Sequence, residues 1–424
     1  MFNSIVRFLE SLNPEIIVQA PSRINLINPL DAVEADLWMP AVAINGIENP
    51  LSVFLYIRET KHSSRFRIYK IVKNSNGYTF EINAEEELSK NIEDIKQKSL
   101  GEHRLVYSSI YQLYKTSSSF WERFKEQNIE FGVLTTIPRQ SGLGGSAAII
   151  ISILYGFSHY FNIFNSLLNL GENEFPINKD IIAEMATKVE DEDLKITAGY
   201  SDRYVVSRGG LSFCSYYGKL FHQEISKEPL AVYDRIDEVY NINELPIILC
   251  YSGVTHESGS VHDKLRKIYL QEESTILENY KKLGKIAWKS RFALMKKDWK
   301  RLGEYFKLNT EIMNLIMKNA GFEYGIGIAN NILIKLIEDH PDVYAAKLTG
   351  AGGGGSVFAL VNPNNIDGVL LDWKKNLNDL VKNEKLFKKK FPNYPINIKS
   401  QLEYAEFYRI KICHEGVSII VKID

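Results

Sequence analysis

Three glycines, Gly142, Gly144 and Gly145, stand in the segment PRQSGLGGSAA at residues 138–148. Glycine adopts positive φ readily and lets a ligand approach the backbone closely. The preceding run IEFGVLTTI predicts a strand, and the following run AIIISILYGFSHYF predicts a buried helix. Because the first N–H groups of a helix are unpaired and carry partial positive charge, such a junction binds anions, phosphate above all. The alternative is a tight strand-to-helix turn that binds nothing.

Neither of two common phosphate loops fits this segment. The P-loop pattern G-x-x-x-x-G-K-[ST] requires a lysine, and none follows these glycines. The dinucleotide pattern G-x-G-x-x-[GA] matches Gly142, Gly144 and Ala147, but it requires a second strand that ends in an acidic residue. Another helical pattern follows here instead, so the context excludes a Rossmann fold.

The segment resembles the central motif of the GHMP kinases, the superfamily of galactokinase, homoserine kinase, mevalonate kinase and phosphomevalonate kinase. The family pattern is P-x-x-x-G-L-[GS]-[SG]-S-[AS], and the chain follows it over residues 138–147. The resemblance implies that this loop binds the phosphates of ATP. The residues so implied are Pro138, Ser141, Gly142, Leu143, Gly144, Gly145, Ser146 and Ala147.

A second stretch, EIIVQAPSRINLI at residues 15–27, predicts a strand interrupted at Pro21. It resembles the first GHMP motif, A-P-x-[RK]-x-x-[LI]-x-G, with Arg23 at the basic position and Asn28 where the motif has its glycine. The N-P-x-D sequence that runs from Asn28 to Asp31 resembles glucuronokinase-like sugar kinases, and it implies that both residues bind the substrate. An exposed turn is the alternative for Asp31, since Asn, Pro and Asp favour turns.

An acidic stretch, KVEDEDLKITAGYSDRYVVSRGGLSF, occupies residues 188–213, with Asp202 predicted in a polar loop. The GHMP resemblance implies that Glu190 and Ser146 hold Mg²⁺, which prefers such oxygen ligands. It also implies that Asp202 orients the acceptor hydroxyl and accepts its proton. The positive charge of Arg23, or of Arg203 beside it, would keep this carboxylate ionised. The alternatives are a solvated acidic surface for Glu190 and a turn cap for Asp202.

The second half of the chain contains the sequence VTHESGSVHDKLRKIY after a predicted strand at residues 246–253. It resembles the S-G-x-V-H-x-x-[LV]-R segment of glucuronokinase-like proteins, which implies that His262 and Arg266 bind a phosphate or a sugar carboxylate. The alternative is a helix start with a basic exposed face. Two histidines six residues apart without a nearby cysteine match no common zinc spacing.

A third glycine-rich stretch, VYAAKLTGAGGGGSVFALV at residues 343–361, predicts two strands joined by a glycine loop. It resembles the third GHMP motif, K-[LI]-[ST]-G-[AS]-G-x-G-[GS]. Glycine between two apolar strands often marks a close backbone approach, although an unused flexible loop is the alternative. The resemblance implies that Gly350, Gly352 and Gly353 contribute to the substrate site.

Composition bounds the class of protein. A chain of 424 residues, 45% apolar and 24% charged, predicts two globular domains, which we place at residues 1–230 and 231–424. A net charge of −1 gives no reason to expect nucleic acid or a membrane as partner. The three distant cysteines fit a reducing compartment, and no apolar run of membrane length or signal-peptide pattern occurs, so we expect a cytoplasmic protein, monomeric or homodimeric.

The three motifs together define what the resemblance implies. The fold class is α+β, with an N-terminal ribosomal-S5-like α/β domain and a C-terminal ferredoxin-like α+β domain. The implied activity is an ATP- and Mg²⁺-dependent kinase for a hydroxyl of a sugar or sugar acid, of glucuronokinase or heptose-phosphate-kinase type. A mevalonate-type kinase and a non-catalytic nucleotide or sugar sensor remain alternatives at this point.

Overall fold

The computed structural model describes residues 1–27, 38–75, 77–164, 177–216, 231–255 and 258–422. The candidate substrate residues Asn28 and Asp31 therefore lie outside the described residues. Across these ranges runs of strands and runs of helices follow one another, as is typical of an α+β fold. Within them, no helix is both long enough and apolar enough to span a membrane.

The strands of the described residues number thirteen. They are β1 (Ile16–Asn25), β2 (Met39–Gly46), β3 (Ser52–Glu59), β4 (Arg65–Asn74), β5 (Gly77–Glu87), β6 (Ile129–Thr135), β7 (Leu211–Tyr216), β8 (Ala231–Arg235), β9 (Ile247–Tyr251), β10 (Val343–Thr349), β11 (Ser356–Val361), β12 (Glu406–Ile412) and β13 (Ser418–Lys422).

The helices of the same ranges number fifteen. They are α1 (Phe2–Glu10), α2 (Ile92–Lys98), α3 (Arg104–Thr116), α4 (Ser118–Glu126), α5 (Gly145–Tyr160), α6 (Lys179–Lys188), α7 (Ser201–Arg208), α8 (Ile236–Val239), α9 (Ser258–Leu270), α10 (Ser274–Met295), α11 (Trp299–Asn319), α12 (Ile328–Lys335), α13 (Ile366–Lys382), α14 (Glu384–Lys390) and α15 (Ile398–Leu402). A π turn, Val189–Asp193, continues α6, and a 3₁₀ turn, Pro363–Asn365, precedes α13.

One continuous sheet connects the described strands, in the order β10-β11-β9-β12-β2-β1-β3-β6-β4-β5. Neighbours are antiparallel except β4 and β6. The last two strands return to the first half of the chain, because β12 pairs with β2 and β13 pairs with β1. Strand pairing thus crosses residue 230, and the division into domains 1–230 and 231–424 stays a prediction.

Strand β1 changes its partner on one edge near Pro21. Residues 16–19 pair there with β13, and residues 22–25 pair with β2. On its other edge β1 pairs with β3 through residues 16–21. Pro21, where the sequence predicts an interruption, is therefore the place where β1 exchanges β13 for β2 as its partner. Arg23 and Asn25 lie after it, on the segment that pairs with β2.

Helix α5 is the central helix of the first half, and its sequence explains why. It lacks a polar face over most of its length, and a helix that is apolar all round must be buried. It packs on β1 and β3, where a Cβ added to Gly156 would lie 2.5 Å from Leu55 Cδ2. This close packing fixes the start of α5, and with it the glycine loop, relative to β1.

The amphipathic pattern of residues 103–127 predicts one helix, and this expectation was wrong. The helix is divided at Ser117, which is extended and whose side chain caps α4 by accepting from the Phe120 N–H. Serine competes for such local hydrogen bonds, so a serine-rich stretch favours a helix start over continuation. The sequence of residues 226–246 suggests a connection between domains, and its described part contains β8, which pairs with β7.

Replacing Gly156 by valine tests the packing of α5. We expect the free energy of unfolding to fall by about 1–3 kcal/mol, because the added side chain cannot fit against β3 without moving it. Urea denaturation measures the change. The control is Gly101→Ala, where an added Cβ would meet only the Lys98 carbonyl oxygen, at 3.3 Å. Equal stability of the two variants would contradict the tight packing.

Candidate active site

The glycine loop and the start of α5 have the geometry of an anion site. Gly144 is the residue before the helix, with φ of 77°, and within the described residues no side chain caps the helix there. A Cβ at Gly144 would lie 3.0 Å from Arg23 Cγ, so glycine is required both by φ and by space. An uncapped start of a 16-residue helix beside a glycine loop fits the phosphates of ATP.

The two glycine loops, one from each half of the chain, are in contact. A Cβ at Gly142 would lie 3.0 Å from the Thr349 carbonyl oxygen, and a Cβ at Gly350 would lie 3.1 Å from Gly142 Cα. The Ser356 hydroxyl donates to the Ser141 carbonyl oxygen at 2.8 Å. Both Gly142 and Gly350 have positive φ. The third motif therefore lies directly against the glycine loop that precedes α5.

Gly352 and Gly353 lie further along the same loop. The Gly353 N–H donates to the Ile326 carbonyl oxygen at 2.8 Å, and a Cβ at Gly352 would lie 3.4 Å from Leu348 Cδ1. These contacts hold this end of the loop against its own half of the chain. A substrate role for Gly352 and Gly353 stays a prediction.

Arg23 joins the phosphate loop to the candidate acceptor carboxylate. Its Nη1 donates to the Gly142 carbonyl oxygen and its Nη2 donates to Asp202 Oδ2, both at 2.5 Å. The Asn25 amide donates to the other oxygen, Asp202 Oδ1, at 3.0 Å. The sequence analysis missed Asn25, although it stands two residues after Arg23 on a strand and so shares its face.

Asp202 lies in the first turn of α7, not in the polar loop predicted for it. Burial by itself would raise the pKa of this carboxyl, but the charge and hydrogen bond of Arg23, then Arg203 and the Asn25 amide, hold the pKa of Asp202 well below its usual range. The start of a helix adds partial positive charge. Asp202 is therefore ionised throughout the physiological range, while 16% of its side chain stays exposed.

Glu190 is buried, so a solvated acidic surface is wrong for this residue. Its Oε1 accepts from the Ser146 hydroxyl at 2.5 Å, and its Oε2 accepts from Arg203 Nε at 2.7 Å and also from Nη2. Only 1% of Glu190 is exposed. The acidic residue thus bridges the start of α5 and α7.

The π turn explains how four consecutive acidic residues coexist. A π turn is a rare local form that is frequent at functional sites, and here it directs each carboxylate to a different cation. The pairs are Glu190 with Arg203, Asp191 with Arg266, Glu192 with Lys188, and Asp193 with Lys115. The four acidic residues therefore form ion pairs within the fold as well as at its surface.

Ser146 and Glu190 fit the protein share of a Mg²⁺ site. They offer a hydroxyl and a carboxylate oxygen 2.5 Å apart at the start of α5, where the phosphates of a nucleotide would lie. Mg²⁺ is commonly held by one or two protein oxygens together with substrate phosphates. Arg203 engages the second oxygen of Glu190, which leaves Oε1 and the hydroxyl as the oxygens available to an ion.

The two predicted substrate residues of α9 lie in different surroundings. Arg266 Nη1 is 3.2 Å from Asp191 Oδ1, and only 16% of its side chain is exposed. A basic exposed face is therefore wrong for Arg266, which pairs with the π turn instead. His262 is half-buried on the same helix, and its substrate role stays a prediction.

The electrostatics of Asp202 give a test that needs no substrate. In Arg23→Gln the largest influence that lowers the pKa of Asp202 is removed, so we expect that pKa to rise. Titration of the ¹³C-labelled carboxyl by NMR measures it. The control is Arg58→Gln, which removes an arginine that pairs with Glu130 at 2.7 Å elsewhere on the sheet. Identical Asp202 titrations in both variants would contradict the role of Arg23.

Comparison with known proteins agrees with this architecture. Residues 105–210 match the family model of the GHMP kinases N terminal domain, and residues 292–379 match that of the GHMP kinases C terminal domain. The chain is 28% identical over 244 residues to a probable glucuronokinase 2 of Arabidopsis thaliana, an alignment that covers 57% of this chain and 60% of that protein. It therefore spans about three fifths of that relative's length.

Two further similarities come from other members. A D-glycero-alpha-D-manno-heptose 7-phosphate kinase of Campylobacter jejuni is 26% identical over 265 residues, which cover 61% of this chain and 67% of that protein. The crystal structure of Methanococcus jannaschii mevalonate kinase superposes with a TM-score of 0.56 at 16% identity, covering 94% of this chain and 98% of the other. The predicted α+β fold is thereby confirmed, and the two family-model matches confirm the resemblance of this chain to the GHMP kinases.

Proposed function

We propose that this protein transfers the γ-phosphoryl group of ATP to a hydroxyl group of a sugar or sugar acid. The observation that carries the proposal is the bridge made by Arg23, which bonds to the phosphate loop at Gly142 and to the ionised Asp202. A donor site and an acceptor carboxylate are thus held in one fixed relation. Phosphoryl transfer depends mainly on such positioning and on charge stabilisation.

The donor side is formed by the glycine loop and α5. The N–H groups at the start of α5 and the positive φ of Gly142 and Gly144 provide a backbone cradle for phosphate oxygens. Ser146 and Glu190 would hold Mg²⁺, which neutralises the charge that spreads over the phosphate oxygens during transfer. Arg203 binds the second oxygen of Glu190 and so orients the carboxylate towards Ser146.

The acceptor side is centred on Asp202. Its Oδ2 is engaged by Arg23 and its Oδ1 accepts from Asn25, so the carboxylate has a fixed orientation. A pKa held this low makes Asp202 a weak base. Because the transition state of phosphoryl transfer is loose, the carboxylate acts first by orienting the hydroxyl and then accepts its proton as the oxygen–phosphorus bond forms.

The choice of a sugar as acceptor rests on three segments that resemble glucuronokinase-like kinases. They are N-P-x-D at residues 28–31, A-G-x-x-D-R at residues 198–203 and S-G-x-V-H-x-x-L-R at residues 258–266. The similarity to a glucuronokinase and to a heptose-phosphate kinase supports the same choice. We propose the anomeric hydroxyl as the acceptor and the cytoplasm as the location. The test is a panel of D-glucuronic acid, D-galactose and mevalonate with ATP and Mg²⁺, followed by phosphorus NMR. A sugar 1-phosphate supports the proposal, and a mevalonate phosphate would replace it with the mevalonate branch.

Replacing Asp202 by asparagine tests the acceptor carboxylate. We expect kcat to fall about 10²–10⁴-fold, the usual range for a positioned acid–base group, while ATP affinity by calorimetry changes little. The matched control is Asp180→Asn, since Asp180 has the same 16% side-chain exposure and pairs with Arg208 at 2.8 Å. A folded Asp202→Asn protein with near-normal kcat would remove Asp202 from the mechanism.

Replacing Glu190 by glutamine tests the metal site. We expect a higher Mg²⁺ concentration for half-maximal turnover, because a neutral amide is a poorer ligand than a carboxylate. We also expect a lower melting temperature, because the buried Arg203 loses the carboxylate that it contacts most closely. The control is Glu192→Gln in the same turn, whose partner Lys188 lies at 2.7 Å. The same Mg²⁺ dependence in both variants would refute a metal role for Glu190.

A further inference from the structure

Helix α9 touches the segment that connects Glu190 to Asp202 at two separate points. Arg266 Nη1 lies 3.2 Å from Asp191 Oδ1, in the π turn. Near the start of the helix, a Cβ added to Gly259 would lie 3.0 Å from Ile196 Cγ2. The contacts of Gly259 and Arg266 explain the glycine and the arginine of the S-G-x-V-H-x-x-L-R sequence without any bound ligand.

Asp191 connects this contact to the rest of the segment. Its Oδ1 also accepts from the Ala198 N–H at 3.0 Å, so the carboxylate fastens the chain that leaves the π turn. The Ile196 N–H donates to the Glu190 carbonyl oxygen at 2.8 Å, which folds the same chain back on the turn. Only 4% of the Asp191 side chain is exposed, so its contacts are made with the protein and hardly with water.

We propose that Arg266 and Gly259 are positioning residues that hold the segment 190–202 in place from the other half of the chain, and that Arg266 does not contact the acceptor. Asp191 is next to Glu190, and the chain that it fastens enters α7 directly before Asp202. One helix of the second half thereby sets both the metal carboxylate and the acceptor carboxylate. The inference rests on the proposed function for the roles of those two groups.

The physical reason is the cost of removing the cation that a buried carboxylate contacts. Without Arg266, Asp191 loses one of the contacts that hold it in place, and the π turn that carries it is held less firmly. Groups that orient a metal-binding carboxylate typically change metal affinity or activity 10–100-fold when they are removed. A residue that only bound the acceptor would leave the metal site unchanged.

The experiment compares Arg266→Met with Lys267→Met, which removes a neighbouring cation that is 71% exposed and pairs with Asp263 on the same helix. Mn²⁺ binding in the presence of ADP, followed by electron paramagnetic resonance, reports on the metal site. Hydrogen–deuterium exchange over residues 189–200 reports on the segment itself. For Arg266→Met we expect Mn²⁺ affinity to fall about 10–100-fold and exchange to accelerate, with Lys267→Met unchanged in both.

Two further measurements separate positioning from substrate binding. With whichever sugar of the panel is phosphorylated, Arg266→Met should lower kcat and leave the KM of the sugar unchanged. Asp191→Asn should have the same effects, and the double variant Asp191→Asn/Arg266→Met should be no worse than the more affected single variant. Gly259→Val should accelerate exchange over residues 189–200 without removing any charge.

One outcome would overturn the inference, and a different one would overturn the proposed function. A raised KM for the sugar in Arg266→Met, with normal Mn²⁺ affinity and normal exchange, would overturn the inference and make Arg266 a substrate contact. Failure of the proposed function appears separately, as absence of sugar phosphorylation by the unsubstituted protein. Exchange over residues 189–200 still decides the positioning role in that case, because it requires neither a sugar nor turnover.

Discussion

The guanidinium of Arg23 is the contact on which the arrangement of the site depends. Arg23 lies near the end of β1, beyond Pro21, where β2 has replaced β13 as the partner strand. Its guanidinium donates to the Gly142 carbonyl oxygen and to Asp202. A nearly buried charge of this kind is stable only when its hydrogen bonds are well made. The requirement runs in both directions, since Asp202 needs the arginine to stay ionised and the arginine needs the carboxylate to stay buried.

A second buried ion pair lies at the start of α5, on the proposed donor side of the site. Arg203 and Glu190 are both largely buried, and Ser146 is the third member of their group. Arg203 also lies 3.7 Å from Asp202 Oδ2, so the two pairs form one network of alternating charge. A buried network of this type is costly when incomplete, which favours a single arrangement of the carboxylates over several competing ones.

Much of this was predictable from the sequence, because the motifs carry local information. The need for glycine at positions of positive φ, such as Gly142 and Gly350, can be predicted from the neighbouring residues in the chain. The same is true of the apolar run that forms α5. The family and the α+β fold followed from those motifs. What the sequence could not supply is the partner of each charged side chain. Asp191 and Arg266 are far apart in the chain, and no pattern indicates that they meet.

The position of Asp202 shows another limit. Glycine and polar residues before it suggested a loop, yet tertiary contacts continue the chain into α7 one residue earlier. Similarly, Glu190 stands in a run of four acidic residues, and composition alone favours a wet surface for such a run. Only the π turn, which changes the direction of successive side chains, gives each carboxylate its own cation. Local propensity does not encode these pairs, because Arg203 and Arg266 are supplied by α7 and α9, which lie further along the chain.

The return of β13 to β1 has a consequence for biosynthesis. Residues 16–19 receive their hydrogen-bond partners on one edge from residues 418–422, almost at the other end of the chain. During translation that edge stays open until residues 418–422 have been made. An exposed strand edge invites pairing with other chains, and contacts of such large sequence separation form slowly. The nascent chain is thus exposed to aggregation through this edge until β13 has emerged.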